Sequence, residues 1–350
     1  MIEQDVLDRL DHALSRYGRP PRVDTTTLTL GDFTGLIVQF EKRANKVITQ
    51  INNHVPAEMR VPTYAFFCED EKYGAFALPD RYNYVVLNLG IVPALTHFCQ
   101  RMMATSGLWP KVGSVEPPSC VSASTREVRA YFAWKVQQPR IPDDSFRKAI
   151  AVIFMSECFD LIVRHEVAHL ILGHHRVPKD DPLVRQALEF VADGHAAIWG
   201  FERLARSPKI AGDRARDIDK GYSELFGASE DSVRNYLLAA FFVFRLMDET
   251  TWSNKELVSR GHPPAPLRFH AVCIHLEEHY QRIGDSATLG RLHKAVPEAW
   301  ELGEIIFGKT LGREPDQYPV REVMSFESEK HYERVSNRAQ TLPRHLFGLA

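Results

Sequence analysis

At 350 residues the chain is long enough for one large domain or two ordinary ones, and either arrangement can bury a substantial core. Its 43 basic and 45 acidic side chains nearly cancel and are well mixed, which argues against a nucleic-acid stripe or a polybasic lipid-binding segment. The longest strongly apolar run, 236–244, falls far short of the ~20 residues needed to cross a bilayer, so no membrane partner is expected.

The first 18 residues carry acidic groups early and a helical rhythm at Val6, Leu10 and Leu14, unlike a secretion signal. Five cysteines, at 68, 99, 120, 158 and 273, are odd in number, widely spaced and without CxxC pairs. That usage suits reduced thiols and a cytoplasmic location. The proline pair in "GRPPRVDTTT" ends the first helix, and a second is expected over about 33–51. Residues 63–90 change character: "TYAFFCE", "YGAFALP" and "YNYVVLNLG" are rich in aromatic and β-branched residues between turn-formers, so they predict a small sheet. Residues 105–142 hold glycine, serine and several prolines and read as an irregular connection.

From Asp143 or Asp144 as N-cap, a helix is expected to run to about Leu172, ended by Gly173 and Pro178. It is apolar almost all round, with a thin polar stripe at Glu157, Asp160 and Arg164, which predicts a central position. "DDP" at 180–182 opens the next helix, to about Arg206. Further helices are predicted near 230–249, 265–282, 286–307 and 322–338. No internal repeat or low-complexity tract appears, and one unit is the simplest reading.

The end of the central helix reads "HEVAHLILGHH", 165–175. Residues four apart differ by about 40° around a helix, so His165 and His169 stand one above the other and can share one ion. Glu166 points about a quarter turn away, where its carboxylate can serve the open position of a metal as general base. This is the HExxH signature of zinc-assisted hydrolysis. Chance alone gives roughly 0.05 matches in a chain of this composition, so context must decide. The bland alternative is a buried helix whose histidines are satisfied by neighbours; two buried imidazoles beside a buried carboxylate would then cost stability unless partnered.

A catalytic zinc wants three protein ligands and one open site. In "EFVADGHAAIWG", Glu189 and Asp193 share a face with the small residues Ala192, Ala196, Ala197 and Gly200, which let two helices approach closely. Glu189 is assigned as third ligand and Asp193 as the acceptor that holds the far nitrogen of a ligand histidine. His175, ten residues after His165, is the competing third ligand. His174 and His175 otherwise suit a helix C-terminus. Cys158 lies roughly 10 Å up the axis from His165, too far for the same ion. His275 and His279 are also four apart, without a following glutamate, and Glu277, Glu278 and His279 suit a solvated helix face. No Walker pattern or GxSxG elbow occurs.

HExxH followed by ExxAD resembles the gluzincin metallopeptidases, especially the branch of HtpX and the CAAX prenyl proteases. "YGAFALPDRYNYVVLNLGIVPAL" is similar to that branch's Asn-Ala-Phe-Ala segment with its following strand, and "GHPPAPLRF" to its His-Pro segment with an arginine six residues on. The four motifs span residues 74–268. The resemblance implies an α+β, mostly helical fold: a zincin-like metallopeptidase core with a small mixed sheet and an active-site helix. It implies one Zn2+ per chain and hydrolysis of peptide bonds in a protein or peptide substrate. It also implies that Ala75, Phe76, Ala77 and Leu78 form an edge strand that receives an extended substrate by backbone pairing. His262 would donate to the oxyanion, and Arg268 would pair with Asp193 or with substrate. Gly74 departs from the branch's asparagine, and the spanning helices of the membrane relatives have no counterpart. A looser similarity, in size and HExxH alone, is to the Lit-type phage-exclusion peptidases. The expected organisation is a helical region at 1–62, the core at 63–282 and a helical extension at 283–350, with the terminal regions free to recruit a regulatory protein partner. The alternative reading is a non-catalytic module that keeps the scaffold as sensor or interaction platform.

Overall fold

A computed structural model describes residues 3–25, 33–56, 60–109, 140–206, 230–247, 254–312 and 325–342, with the isolated residues 128, 221, 225, 226 and 314. The predicted irregular connection at 105–142 lies largely outside the described residues.

The chain opens with α1, Gln4–Arg16, whose Val6, Leu10, Ala13 and Leu14 form one buried stripe. That stripe packs on one face of the sheet, against Phe66, Leu78, Tyr84 and Val86. α2, Phe33–Asn52, covers the other side beside β1, Thr63–Cys68. Then come β2, Ala75–Pro79, and β3, Asn83–Asn88. The order is β1-β3-β2, with β1 parallel and β2 antiparallel to the central β3. Every residue of β3 is buried, as expected of a strand covered on both faces.

The two edges of this sheet are treated differently. On β1, Asn45 of α2 donates to the carbonyl of Ala65 and accepts from its amide, both at 3.0 Å. Val23 adds a backbone bond to Phe67 O at 2.8 Å. That edge is therefore occupied. Among the described residues no strand pairs with the outer edge of β2.

Gly90 turns the chain where any Cβ would run into the backbone of Glu71, and α3, Ile91–Ala104, follows at once. Sequence reading missed this helix. It is buried nearly all round, its polar residues Thr96, His97 and Arg101 included, and Pro93 sits in its first turn, where the missing N–H is harmless.

The central helix α4, Ser145–Ile171, is capped by the Asp144 carboxylate, which accepts from Arg147 N at 2.8 Å. Its polar stripe is buried, and ion pairs compensate it: Arg43 of α2 forks onto Asp160 at 2.5 and 2.9 Å, while Arg164 reaches Asp160 at 3.2 Å. Glu157 receives Arg203 at 2.6 and 2.5 Å. Gly173, at φ +66°, supplies the left-handed residue that ends the helix, followed by a single 3-10 turn, His174–Arg176. α5, Pro182–Arg206, then packs along α4. Of the expected small residues, Ala192 packs with Val191 against Ala168 of α4 and Leu172 just beyond its end. A Cβ at Gly200 would strike the Tyr236 hydroxyl and lie 2.7 Å from an Arg164 guanidinium nitrogen.

The remaining helices are α6, Glu230–Met247; α7, Asn254–Leu257; α8, Ala265–Arg282; α9, Ser286–Thr310; and α10, Phe326–Gln340. The chain is thus mostly helical with a small mixed sheet, and one apolar cluster extends from Val23 to Leu342. His275 and His279 are half-buried rather than solvated, because α8 lies against α5: a Cβ at Gly194 would touch the His275 ring, and His279 Nε2 is 3.3 Å from Glu202. Cys68, Cys99, Cys158 and Cys273 are free thiols buried in the core. Among the described residues no helix is long and apolar enough to cross a membrane.

Candidate metal centre

The C-terminal end of α4 projects His165 and His169 from one face, and α5 brings Glu189 against them. The two Nε2 atoms are 3.0 Å apart. Glu189 Oε2 lies 3.4 Å from His165 Nε2, and Oε1 lies 3.5 Å from His169 Nε2. Tetrahedral coordination with bonds of roughly 2.0–2.2 Å would set donor atoms about 3.3–3.5 Å apart. The two imidazoles stand somewhat closer together than that, and each meets a different oxygen of the Glu189 carboxylate at about that spacing. Among the described residues this is the one group of histidine, cysteine and acidic side chains whose ligand atoms converge closely enough to hold a metal ion.

Behind these atoms each imidazole has a partner on its far nitrogen. His165 Nδ1 donates to Asp193 Oδ1 at 2.8 Å, which leaves Nε2 as the free donor. Asp193 is 1% exposed and also takes a fork from Arg268 of α8, at 2.7 Å from Nη2 and 2.8 Å from Nε. Arg268 is itself buried, 3.5 Å from Glu189 Oε2, with its guanidinium 4.8 Å above the Phe244 ring. It is no surface residue.

His169 Nδ1 meets His174 Nδ1 at 2.7 Å. If His169 offers Nε2 to an ion, its Nδ1–H donates to His174, whose own proton then sits on Nε2. His174 is 1% exposed. Its position in the sequence marks only a helix end, because its place depends on how the chain folds back after Gly173. His175 is exposed, accepts from Arg176 at 3.3 Å and stands outside the converging group.

Charge follows this wiring. Burial opposes a charge on His165, but Asp193 and Glu189 raise it to about 10. Burial pushes His169 down to about 3 and His174 to about 2. Burial would raise Glu189, yet His169 and His165 hold it well below the usual carboxylate range. Asp193 is likewise lowered against burial, by Arg268 and His165. Glu166 behaves differently: burial pushes it up to about 6, against the pull of His165, Arg268 and a hydrogen bond from the Ala77 backbone. A carboxylate poised there suits proton transfer near neutrality.

His165, Glu166, His169, His174, Glu189 and Arg268 line one cleft of about 920 Å³. One wall is β2, Ala75–Pro79. The Ala77 amide bonds toward Glu166, so the outer edge of β2 faces the centre. Phe244, Met247, His262 and Pro263 line the cleft as well. His262 is well exposed, with Nδ1 3.4 Å from Glu189 Oε1. Its segment is pinned by Gln186, one turn before Glu189: the fully buried amide donates to the carbonyls of Leu257 at 2.7 Å and Arg260 at 2.9 Å, and pairs with His331 of α10 at 2.7 Å. Nothing local in the sequence marks Gln186, since its partners lie 71 to 145 residues away.

No family model, curated protein or solved structure matches the chain. The functional reading therefore rests on the site itself.

Proposed function

We propose that the chain is a zinc-dependent endopeptidase with a zincin-like core, in which His165, His169 and Glu189 hold the ion and Glu166 is the general base. The observation that carries this reading is the convergence of His165 and His169 Nε2, 3.0 Å apart, on the Glu189 carboxylate at 3.4 and 3.5 Å, in one cleft with a carboxyl raised to about 6 and a β2 edge that no strand covers among the described residues. Two imidazoles and one carboxylate are a donor set that zinc accepts in catalytic sites. When bound there, zinc would supply Lewis acidity and lower the pKa of a water at its open position.

The chain's own groups account for the rest. An extended peptide adds to the edge of β2, its backbone pairing beside Ala75–Pro79 and its scissile carbonyl directed at the centre. Glu166 takes a proton from the attacking water as the oxygen bonds to the carbonyl carbon. It then returns the proton to the leaving amide nitrogen as the C–N bond breaks. His262, which also lines the cleft, would donate to the oxygen that gains negative charge. Asp193 and His174 fix the ligand imidazoles, and Arg268 fixes Asp193.

The test is Glu166→Gln. Zinc should remain near one per chain while cleavage of a broad peptide library falls by three orders of magnitude or more. Retained cleavage would remove Glu166 as base. A wild-type chain that binds zinc and cleaves nothing would favour a non-catalytic sensor or interaction module.

A further inference from the structure

The chain as a whole is nearly neutral, at −2, but the lining of its cleft is not. Its lysine and arginine residues are Arg19, Lys179, Arg260 and Arg268, against two carboxylates, Glu166 and Glu189. Arg268 is committed to the buried Asp193, and both glutamates belong to the proposed metal centre. Among the cations of this lining, Arg19 and Lys179 are exposed.

Two of these cations are well placed to read a peptide. Arg19 is exposed at the β2 wall, with its guanidinium 4.4 Å over the Phe76 ring. It sits on a held turn rather than a loose tail: its amide bonds to Leu14 O at 2.9 Å, and the following residues pair with the sheet through Val23 and Phe67. Lys179 is exposed on the connection between the 3-10 turn and α5, close enough to the centre for its field to act on His169. Arg260 also lines the cleft, on the segment anchored by Gln186. A peptide lying along β2 passes Arg19 at the strand and Lys179 beside the metal ligands.

From this placement we infer that the cleft selects acidic peptide segments, with Asp or Glu side chains flanking the bond to be cut. Carboxylates would pair with Arg19 and Lys179, while lysine or arginine at the same positions would meet like charge. This deepens the peptidase reading and rests on it for the meaning of the scissile bond. The groups are partly solvated, so the selection acts mainly through affinity and association rate and is sensitive to salt.

The experiment uses three labelled dodecapeptides with one shared apolar centre, flanked by Glu, Gln or Lys. Binding to zinc-loaded Glu166→Gln chain is followed by fluorescence anisotropy, and cleavage by wild type is followed separately. The Glu peptide should bind roughly tenfold or more tighter than the Lys peptide at low salt, with the gap narrowing at 0.5 M salt. Arg19→Glu combined with Lys179→Glu should reverse the order. Both positions are exposed, so circular dichroism should show an unchanged fold. Equal binding of the Glu and Lys peptides, or an order untouched by the double reversal, overturns the inference. Cleavage of all three with equal kcat/KM would leave a peptidase without charge selection. Selective binding of the Glu peptide without any cleavage would leave the acidic-peptide groove and remove the peptidase. Neither binding nor cleavage would overturn both.

Discussion

Asp193 offers a way to separate what holds the fold from what holds the metal. Its carboxylate is 1% exposed and takes three charge-assisted hydrogen bonds, one from His165 and two from Arg268. In Asp193→Leu the Arg268 guanidinium, also buried, loses its counter-charge. Breaking a buried pair in this way typically costs about 3–5 kcal/mol. The double variant Asp193→Leu with Arg268→Met removes both charges at once and replaces them with apolar volume, so most of that loss should be recovered. Metal affinity should behave otherwise. His165 Nδ1 has no acceptor in either variant, and loss of such a partner weakens binding by roughly 10–100-fold, or about 1.4–2.7 kcal/mol. Urea unfolding of the metal-stripped chain reads the first quantity, and zinc competition with a chromophoric chelator reads the second. A double variant that is stable yet binds zinc weakly is the expected result. Wild-type zinc affinity in that variant would refute the idea that Asp193 orients a ligand.

His174→Ala should lower zinc affinity by roughly 10–100-fold, because the His169 Nδ1–H loses its 2.7 Å acceptor; His174→Asn, which can offer an amide oxygen, should recover part of it in the same chelator assay. Unchanged affinity in the alanine variant would assign His174 to packing alone. A pH effect is expected away from the cleft, at His97 of α3, which burial and Arg101 lower to about 4. The unfolded chain binds this proton more readily, so the contribution to stability is complete above about pH 6.5 and is lost as pH falls toward 4, by about 3 kcal/mol in total. Urea midpoints of wild type and His97→Gln should therefore converge as pH drops from 7 to 4, and parallel curves would exclude this proton linkage.

What the sequence makes legible follows from local rules. The ends of α4 and α5 are marked by Asp144, Gly173 and Pro182, residues whose backbone or side chain starts or stops a helix by itself. The spacings of His165 with His169, and of Glu189 with Asp193, place each pair on one helix face without any knowledge of the fold. What was not legible depends on long-range packing. α3 follows directly on a strand, has no side-chain cap and carries Pro93 in its first turn, so nothing local marks its start. The parallel pairing of β1 with β3 is a pattern the strand sequences alone do not announce, and it is held by α1 and Asn45. The stripe of Glu157, Asp160 and Arg164 fits the expected central helix, but its partners Arg43 and Arg203 lie 117 and 46 residues away and nothing local names them. His174 and Gln186 gain their places only once the chain has turned back on α4 and α10 has docked on α5.

The most direct measurement is zinc K-edge X-ray absorption on the purified, zinc-loaded chain, paired with Glu189→Ala. One zinc per chain with two imidazole nitrogens near 2.0–2.1 Å and oxygen ligands near 2.0–2.2 Å is expected, with affinity collapsing in Glu189→Ala and surviving in His175→Ala. A third imidazole in the shell, a sulfur ligand, or full zinc retention in Glu189→Ala would contradict the assigned centre.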